Sequence, residues 1–108
     1  MANTFKNAAT GSNTSVTTLY TTPGGTTSVV HAMYLSNVDG TNDATINISI
    51  SGSANFSGRK YLLKTVNVPA DSTVVIEKPI NLGAADKLET QASANDDIDV
   101  FASILEIT

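Results

Sequence analysis

The chain has no cysteine and no tryptophan. The first absence excludes a disulfide framework, a thiolate nucleophile and any cysteine-based zinc site. The only histidine is His31, too few for the usual zinc ligand sets. Charge is scarce, at 15% of residues, against roughly a quarter in ordinary globular domains. Ten acidic and six basic residues leave a net charge of −4. That balance argues against nucleic acid as the main partner, because phosphate contacts need clustered Lys and Arg. No run approaches the ~20 apolar residues of a membrane helix. The N-terminal residues Met1-Ala2-Asn3-Thr4-Phe5-Lys6-Asn7 lack the apolar core of a signal peptide. The expectation is a protein made in a cytoplasm, with neither a membrane nor nucleic acid as partner. Also missing are a phosphate-cradling glycine loop and a G-x-S-x-G nucleophile elbow. Paired carboxylates for glycoside chemistry do not stand out either. The sequence is therefore read as non-enzymatic and without a cofactor.

What is present is Thr, Ser, Asn and Ala where Lys and Glu usually sit. Such a hydroxyl-rich, weakly charged surface suits strands and also suits packing against other protein. A length of 108 residues fits one domain, 1–108, with a single core. Residues 1–14 form either an edge strand or an N-terminal arm. Phe5 is the one large apolar residue of Met1–Gly11, and either packs on the chain's own core or reaches a neighbouring subunit.

The stretch from Ser28 to Ser51 holds the strongest strand signals. Ser28–Ser36 is apolar on both faces, with Val29, His31, Met33 and Leu35 on one side and Val30, Ala32 and Tyr34 on the other. In Ala44–Ser51, Ile46, Ile48 and Ile50 alternate with Asn47, Ser49 and Ser51. A period of two is the mark of a half-buried strand. The link from Asn37 to Asp43 is rich in turn formers, so a hairpin is expected here. Ser15–Thr22 has strand composition without one strict face, which predicts a bulge or an edge. Arg59–Val68 is a strand with Leu62, Val66 and Val68 on one face and Tyr61 and Leu63 on the other. Ser72–Lys78 and Ile80–Leu82 are extended and separated by Pro79, which cannot donate to a ladder. Lys87–Ala94 reads as a strand with Leu88, Thr90, Ala92 and Ala94 inward, although its residues are also good helix formers. In Ile98–Thr108 the apolar set shifts from Ile98, Val100, Ala102 and Ile104 to Leu105 and Ile107, which predicts a bulge. About eight strands with turns every ~8–12 residues indicate an all-β, two-sheet antiparallel sandwich, either immunoglobulin-like or jelly-roll.

Chemistry-bearing residues are few. His31 lies in the most apolar strand and reads as a buried or interface histidine. Asp39-Gly40-Thr41-Asn42-Asp43 resembles a calcium loop only loosely, because the EF-hand register fails, and a turn explains it. Asp96, Asp97 and Asp99 read as a solvated turn, since crowded carboxylates repel. No metal site is assigned. Asn13, Asn47 and Asn55 open Asn-x-Ser/Thr triplets, which chance accounts for in so Asn-, Ser- and Thr-rich a chain. Arg59, Lys60 and Lys64 are the only basic cluster, either a solvated strand end or a contact for an acidic partner. The candidate interface residues are Phe5, Val29, His31 and Met33, with Arg59, Lys60 and Tyr61 at the basic strand end.

Several segments in order carry a family likeness: Tyr20-Thr21-Thr22-Pro23-Gly24-Gly25-Thr26-Thr27-Ser28-Val29-Val30-His31-Ala32, Leu35-Ser36-Asn37-Val38-Asp39-Gly40-Thr41, Val68-Pro69-Ala70-Asp71-Ser72-Thr73, Lys78-Pro79-Ile80-Asn81-Leu82, and Phe101-Ala102-Ser103-Ile104-Leu105-Glu106-Ile107. Together they resemble small β-sandwich virion structural proteins of tailed bacteriophages. The resemblance implies a virion component without catalysis, of the capsid decoration or cement kind. Such a protein binds across major capsid protein subunits as a homo-oligomer. A neck or tail component is the alternative, and a carbohydrate- or receptor-binding sandwich is the second.

Overall fold

The computed structural model describes residues 2–108. Met1, the first residue of the expected N-terminal segment, lies outside them. Nine strands and no helix are found among the described residues: β1 (Asn3–Gly11), β2 (Thr17–Thr21), β3 (Thr27–Asn37), β4 (Ala44–Ser51), β5 (Lys60–Val68), β6 (Thr73–Ile76), β7 (Ile80–Leu82), β8 (Lys87–Ala92) and β9 (Ile98–Ile107). They form two antiparallel sheets. One has the order β1-β9-β3-β6, with β7 also on β3; the other has the order β2-β8-β4-β5. First pairs with last (β1 with β9), second with next to last (β2 with β8), third with β6 and β7, and fourth with fifth. The chain is thus one long two-stranded ribbon, turned back at the β4–β5 loop and rolled. The rolling adds the β3–β9 and β4–β8 pairings. This is the jelly-roll form of the sandwich, not the immunoglobulin form, whose sheets are rich in hairpins between successive strands.

The expected hairpin of Ser28–Ser36 with Ala44–Ser51 does not form. β3 and β4 belong to opposite sheets and share no ladder. Both carry a bulky apolar inner row, and placing them in facing layers buries Met33 and Leu35 in the same core as Ile46 and Ile48. The link is held as a wide arch. The Asn37 side chain donates to the carbonyls of Asn42 and Val68, each at 2.9 Å. The Asp39 carboxylate accepts from the backbone N–H of Thr41 and Asn42.

Bulges correct the assigned faces at two strands. In β3 the register against β9 shifts between Val30 and Ala32. Val30 and Met33 therefore both point inward, and Val29 and His31 end on the outer face with Tyr34. In β5 the register against β4 slips twice: between Val66 and Leu63, beside Thr65, whose φ of 54° is left-handed, and again between Leu63 and Tyr61, at Leu62. Leu63, Val66 and Val68 face the core, and Leu62, expected there, is exposed. No change of face occurs in β9: Ile98, Val100, Ala102, Ile104 and Glu106 alternate inward without a break. A buried acid at the end of that row hides the alternation from hydropathy. β8 is a strand with Leu88, Thr90 and Ala92 buried, and Ala94 lies beyond its end. β2 has both expected features: a register shift between Thr18 and Tyr20, and an edge position.

The N-terminal segment is an edge strand. β1 runs along β9 from Asn3 opposite Ile107 to Gly11 opposite Asp99. Phe5 is nonetheless 78% exposed, so it packs into no core of its own chain.

Candidate interaction surface

The outer faces of the two sheets differ in chemistry. On the β2-β8-β4-β5 sheet the outer side chains are mostly polar and satisfy one another, with Tyr61 and Leu62 of β5 exposed beside them. Glu89 accepts from the Ser51 hydroxyl at 2.6 Å and from Arg59 Nε at 3.2 Å. Asn47 donates to Gln91 Oε1 and accepts from the backbone N–H of Thr65. Lys64 lies over the Tyr61 ring, 5.4 Å from its centroid.

The β1-β9-β3-β6 sheet presents the reverse. Its cross-strand register lines the outer side chains into rows. One row is Ala9, Phe101, Tyr34 and Val75. The next along the strands is Asn7, Ser103 and Ala32, all small or uncharged. Beyond it lies Phe5, Leu105, Val29 and Asn81. Tyr34 and Phe101 are in tilted contact, with ring centroids 6.2 Å apart at 53°. The Phe5 and His31 rings stack at 6.2 Å and 28°, meeting above β9, which separates their strands. Phe5 stays largely exposed, and Tyr34, Val75 and Phe101 stay partly so. The one ionisable carboxylate in the rows is Asp99, in the last of them with Gly11, Ser36 and Thr73. Beside Phe101 the face sinks into a concavity of about 450 Å³, lined by Ala9, Gly11, Tyr34, Ser36, Asp99 and Phe101.

Strand alternation places these side chains without exception once the β3 bulge is known. The inner row of β9 is apolar and buried, so Phe101 and Leu105 must project outward. Aromatic and aliphatic cross-strand neighbours support one another laterally and hold their orientation before any partner arrives.

Of the interface residues drawn from sequence, Phe5, Val29 and His31 come together on this face. Met33 is fully buried in the core and cannot take part, because the bulge turned it inward. Arg59, Lys60 and Tyr61 are remote, on or beside the edge strand β5 of the other sheet, and Arg59 is already paired with Glu89. Sequence reasoning missed Tyr34, Phe101 and Leu105 as surface residues. The signal for Phe101 was present, since it alternates with Val100 and Ala102.

The Asp39–Asp43 segment is held by its own backbone, which lowers the Asp39 carboxyl, chiefly through the Thr41 N–H and then the Asn42 side chain. No group of three or more metal-ligating side chains occurs among the described residues. A scan against protein-family models finds no match to this chain, and searches of curated proteins and of solved structures find none either.

Proposed function

We propose that this chain is a non-enzymatic structural component of a tailed-phage virion, a capsid decoration protein that binds across major capsid subunits. The observation that carries the reading is the sparsely charged, aromatic outer face of the β1-β9-β3-β6 sheet, opposite a mostly polar, internally bonded face. Exposed apolar patches of this extent on small proteins mark interaction sites. Aromatic residues, Tyr and Phe among them, are enriched in interfaces. Jelly rolls serve as virion building blocks, a fold-level analogy only. The placement on the capsid, in preference to neck or tail, rests on the resemblance of the ordered segments from Tyr20 onward.

The test is co-sedimentation of the purified protein with empty capsids. Saturable binding at a fixed ratio to capsid subunits is expected, and it should survive ~0.5 M salt because few exposed ion pairs contribute. Tyr34→Asp should abolish it, and Leu62→Asp on the opposite sheet should not. Binding only to isolated necks or tails would move the protein within the particle. Failure to bind any virion part would end the proposal.

A second reading has one observation in its favour. The concavity sets the Tyr34 and Phe101 rings beside the Asp99 carboxylate, the pairing of aromatic platform and acceptor that sugars engage. A glycan-array signal lost on Asp99→Asn would favour a carbohydrate reader.

A further inference from the structure

We propose that the outer edge of β1 takes an added strand: an extended, uncharged segment of a different polypeptide, bound through backbone hydrogen bonds. This goes beyond the proposed function, because the groups involved are main-chain groups on the flank of the sandwich and not the side chains of its outer face.

β1 ends its sheet and pairs with β9 alone. The alternation of the ladder decides which of its backbone groups are left over. The Ser12 N–H donates to the Ile98 carbonyl at 2.8 Å, and the Thr108 N–H to the Ala2 carbonyl at 3.0 Å. Between these two pairs the register never slips. The residues of β1 bonded directly to β9 are therefore Thr4, Lys6, Ala8 and Thr10. In an antiparallel ladder the residues between them turn both N–H and C=O the other way. Asn3, Phe5, Asn7 and Ala9 thus aim theirs at the open edge. The Phe5 ring leans across β9 onto His31, away from that edge, and leaves it uncovered.

The other three edges are blunted, as edges of free sheets usually are. β2 has five residues and a register slip between Thr18 and Tyr20. β5 slips twice, turns left-handed at Thr65 and carries Lys60 and Lys64. β6 and β7 have four and three residues, parted by Glu77-Lys78-Pro79. β1 has nine residues, one unbroken register and no proline. Its one charge, Lys6, is turned to Glu106 at 3.0 Å. A long, straight edge left open where three are closed is a template for a donated strand. The occupant is a lone segment and not a second sandwich. β2 flanks β1 in the facing sheet, so a second copy would bring its own β2 against this one, and the bulges there oppose pairing. An extended segment needs β1 alone, and about seven residues span Asn3 to Ala9. One row of its side chains lies beside Phe5, Asn7 and Ala9, where a charge would lose water without gaining a partner.

Nuclear magnetic resonance of the full chain tests this. The probe is a short peptide of alternating Thr and Val, N-methylated at every second residue so that only one of its edges can pair. Saturable shift changes along β1 are expected, with slowed amide exchange at Asn3, Phe5, Asn7 and Ala9. The amides of Thr4, Lys6 and Ala8 should be protected with or without peptide, and a peptide N-methylated throughout should not bind. Asn7→Pro removes an N–H that β9 does not use, a place where an edge strand tolerates proline. It should keep the wild-type fold and weaken the peptide about tenfold or more. If that variant does not fold, the exchange pattern of the wild-type chain decides alone. No saturable binding at millimolar peptide, shifts centred on another edge, or equal binding by Asn7→Pro overturns the proposal. A concentration-dependent dimer that slows the same four amides gives the edge to a second copy and also overturns it. Peptide binding by a chain that binds no virion part keeps the added strand and ends the proposed function. Capsid binding by a chain that takes up no peptide does the reverse.

Discussion

The Tyr20 hydroxyl donates to the Glu106 carboxylate and so ties the edge strand of one sheet to the central strand of the other. The same hydroxyl lies 2.6 Å from the Ser28 hydroxyl, and Lys6 Nζ reaches Glu106 at 3.0 Å. Four strands, β1, β2, β3 and β9, therefore meet in one polar knot at an end of the sandwich where the apolar rows stop. An acid at an inward position of β9 is tolerated because each of its bonds is charge-assisted.

That knot predicts a pH dependence. The Tyr20 hydrogen bond, then Lys6, holds the Glu106 carboxyl below its ordinary 4.5, against the opposing effect of burial. A depressed acid stabilises the fold above its unfolded value, and the contribution is lost as pH falls through the folded value. Burial and then the Glu106 bond raise the Tyr20 phenol above 10.0. Its contribution is present below pH 10 and is lost as pH rises through the folded value. Urea titrations across pH should show stability falling below about pH 4.5 and above about pH 10. Tyr20→Phe should cost about 1–3 kcal/mol at pH 7 and flatten the acid limb. An unaltered acid limb in the variant would remove Tyr20 from the account.

Ile48 is completely buried between the sheets. Ile48→Ala should cost about 2–5 kcal/mol in chemical denaturation. Leu62→Ala, at a side chain the β5 bulge leaves exposed, should cost well under ~1 kcal/mol. Comparable losses at both sites would contradict the face assignment of β5.

Asn37 is buried, and its amide is the clasp of the arch that carries the chain from one sheet to the other. Besides its two donated bonds, its side-chain oxygen accepts from the Asp39 N–H at 2.9 Å. Asn37→Ala leaves the Val68 carbonyl without that donor and should cost about 2–4 kcal/mol by thermal or urea unfolding. Asn37→Asp should recover little of this, because a carboxylate would face two carbonyls.

Thr65 holds a left-handed backbone with a β-branched side chain, a conformation that glycine adopts without cost. Its backbone N–H donates to the Asn47 side-chain oxygen, a bond that needs no Thr65 side chain and survives substitution. Thr65→Gly should therefore raise stability by about 1 kcal/mol, read as a higher urea midpoint at unchanged slope. A loss of similar size would mean that the Thr65 side chain supports the bulge.

The sandwich was legible because β4 and β8 alternate over their whole length and turn chemistry separates the strands. Ile46, Ile48 and Ile50 need no context to declare a buried face. Pairing was not legible. Nothing in Asn37–Asp43 distinguishes a hairpin turn from an arch between sheets, since Asn, Asp and Gly suit both, and the deciding bond goes from Asn37 to the distant Val68. Bulges were invisible for a related reason. A one-residue slip inverts every side chain beyond it. His31 in β3 and Thr65 and Leu62 in β5 carry no residue-type signal for the slips that occur there, so Met33 was expected at the surface and Leu62 in the core. In β9 the error ran the other way: Glu106 broke the apolar count although the geometry continued. On the candidate surface, Phe5, Val29 and His31 could be picked by character, whereas Tyr34 and Phe101 required the register.

The position of β9 has a consequence for the order of folding. It lies between β1 and β3, yet it leaves the ribosome after the other eight strands. Until it emerges, β1 has no neighbour and the long β3 has only short ones, so half the sandwich exists as unzipped threads. The nascent chain must therefore stay open until its final strand slides into the gap, and deleting that strand would undo a whole layer of the molecule instead of trimming its edge.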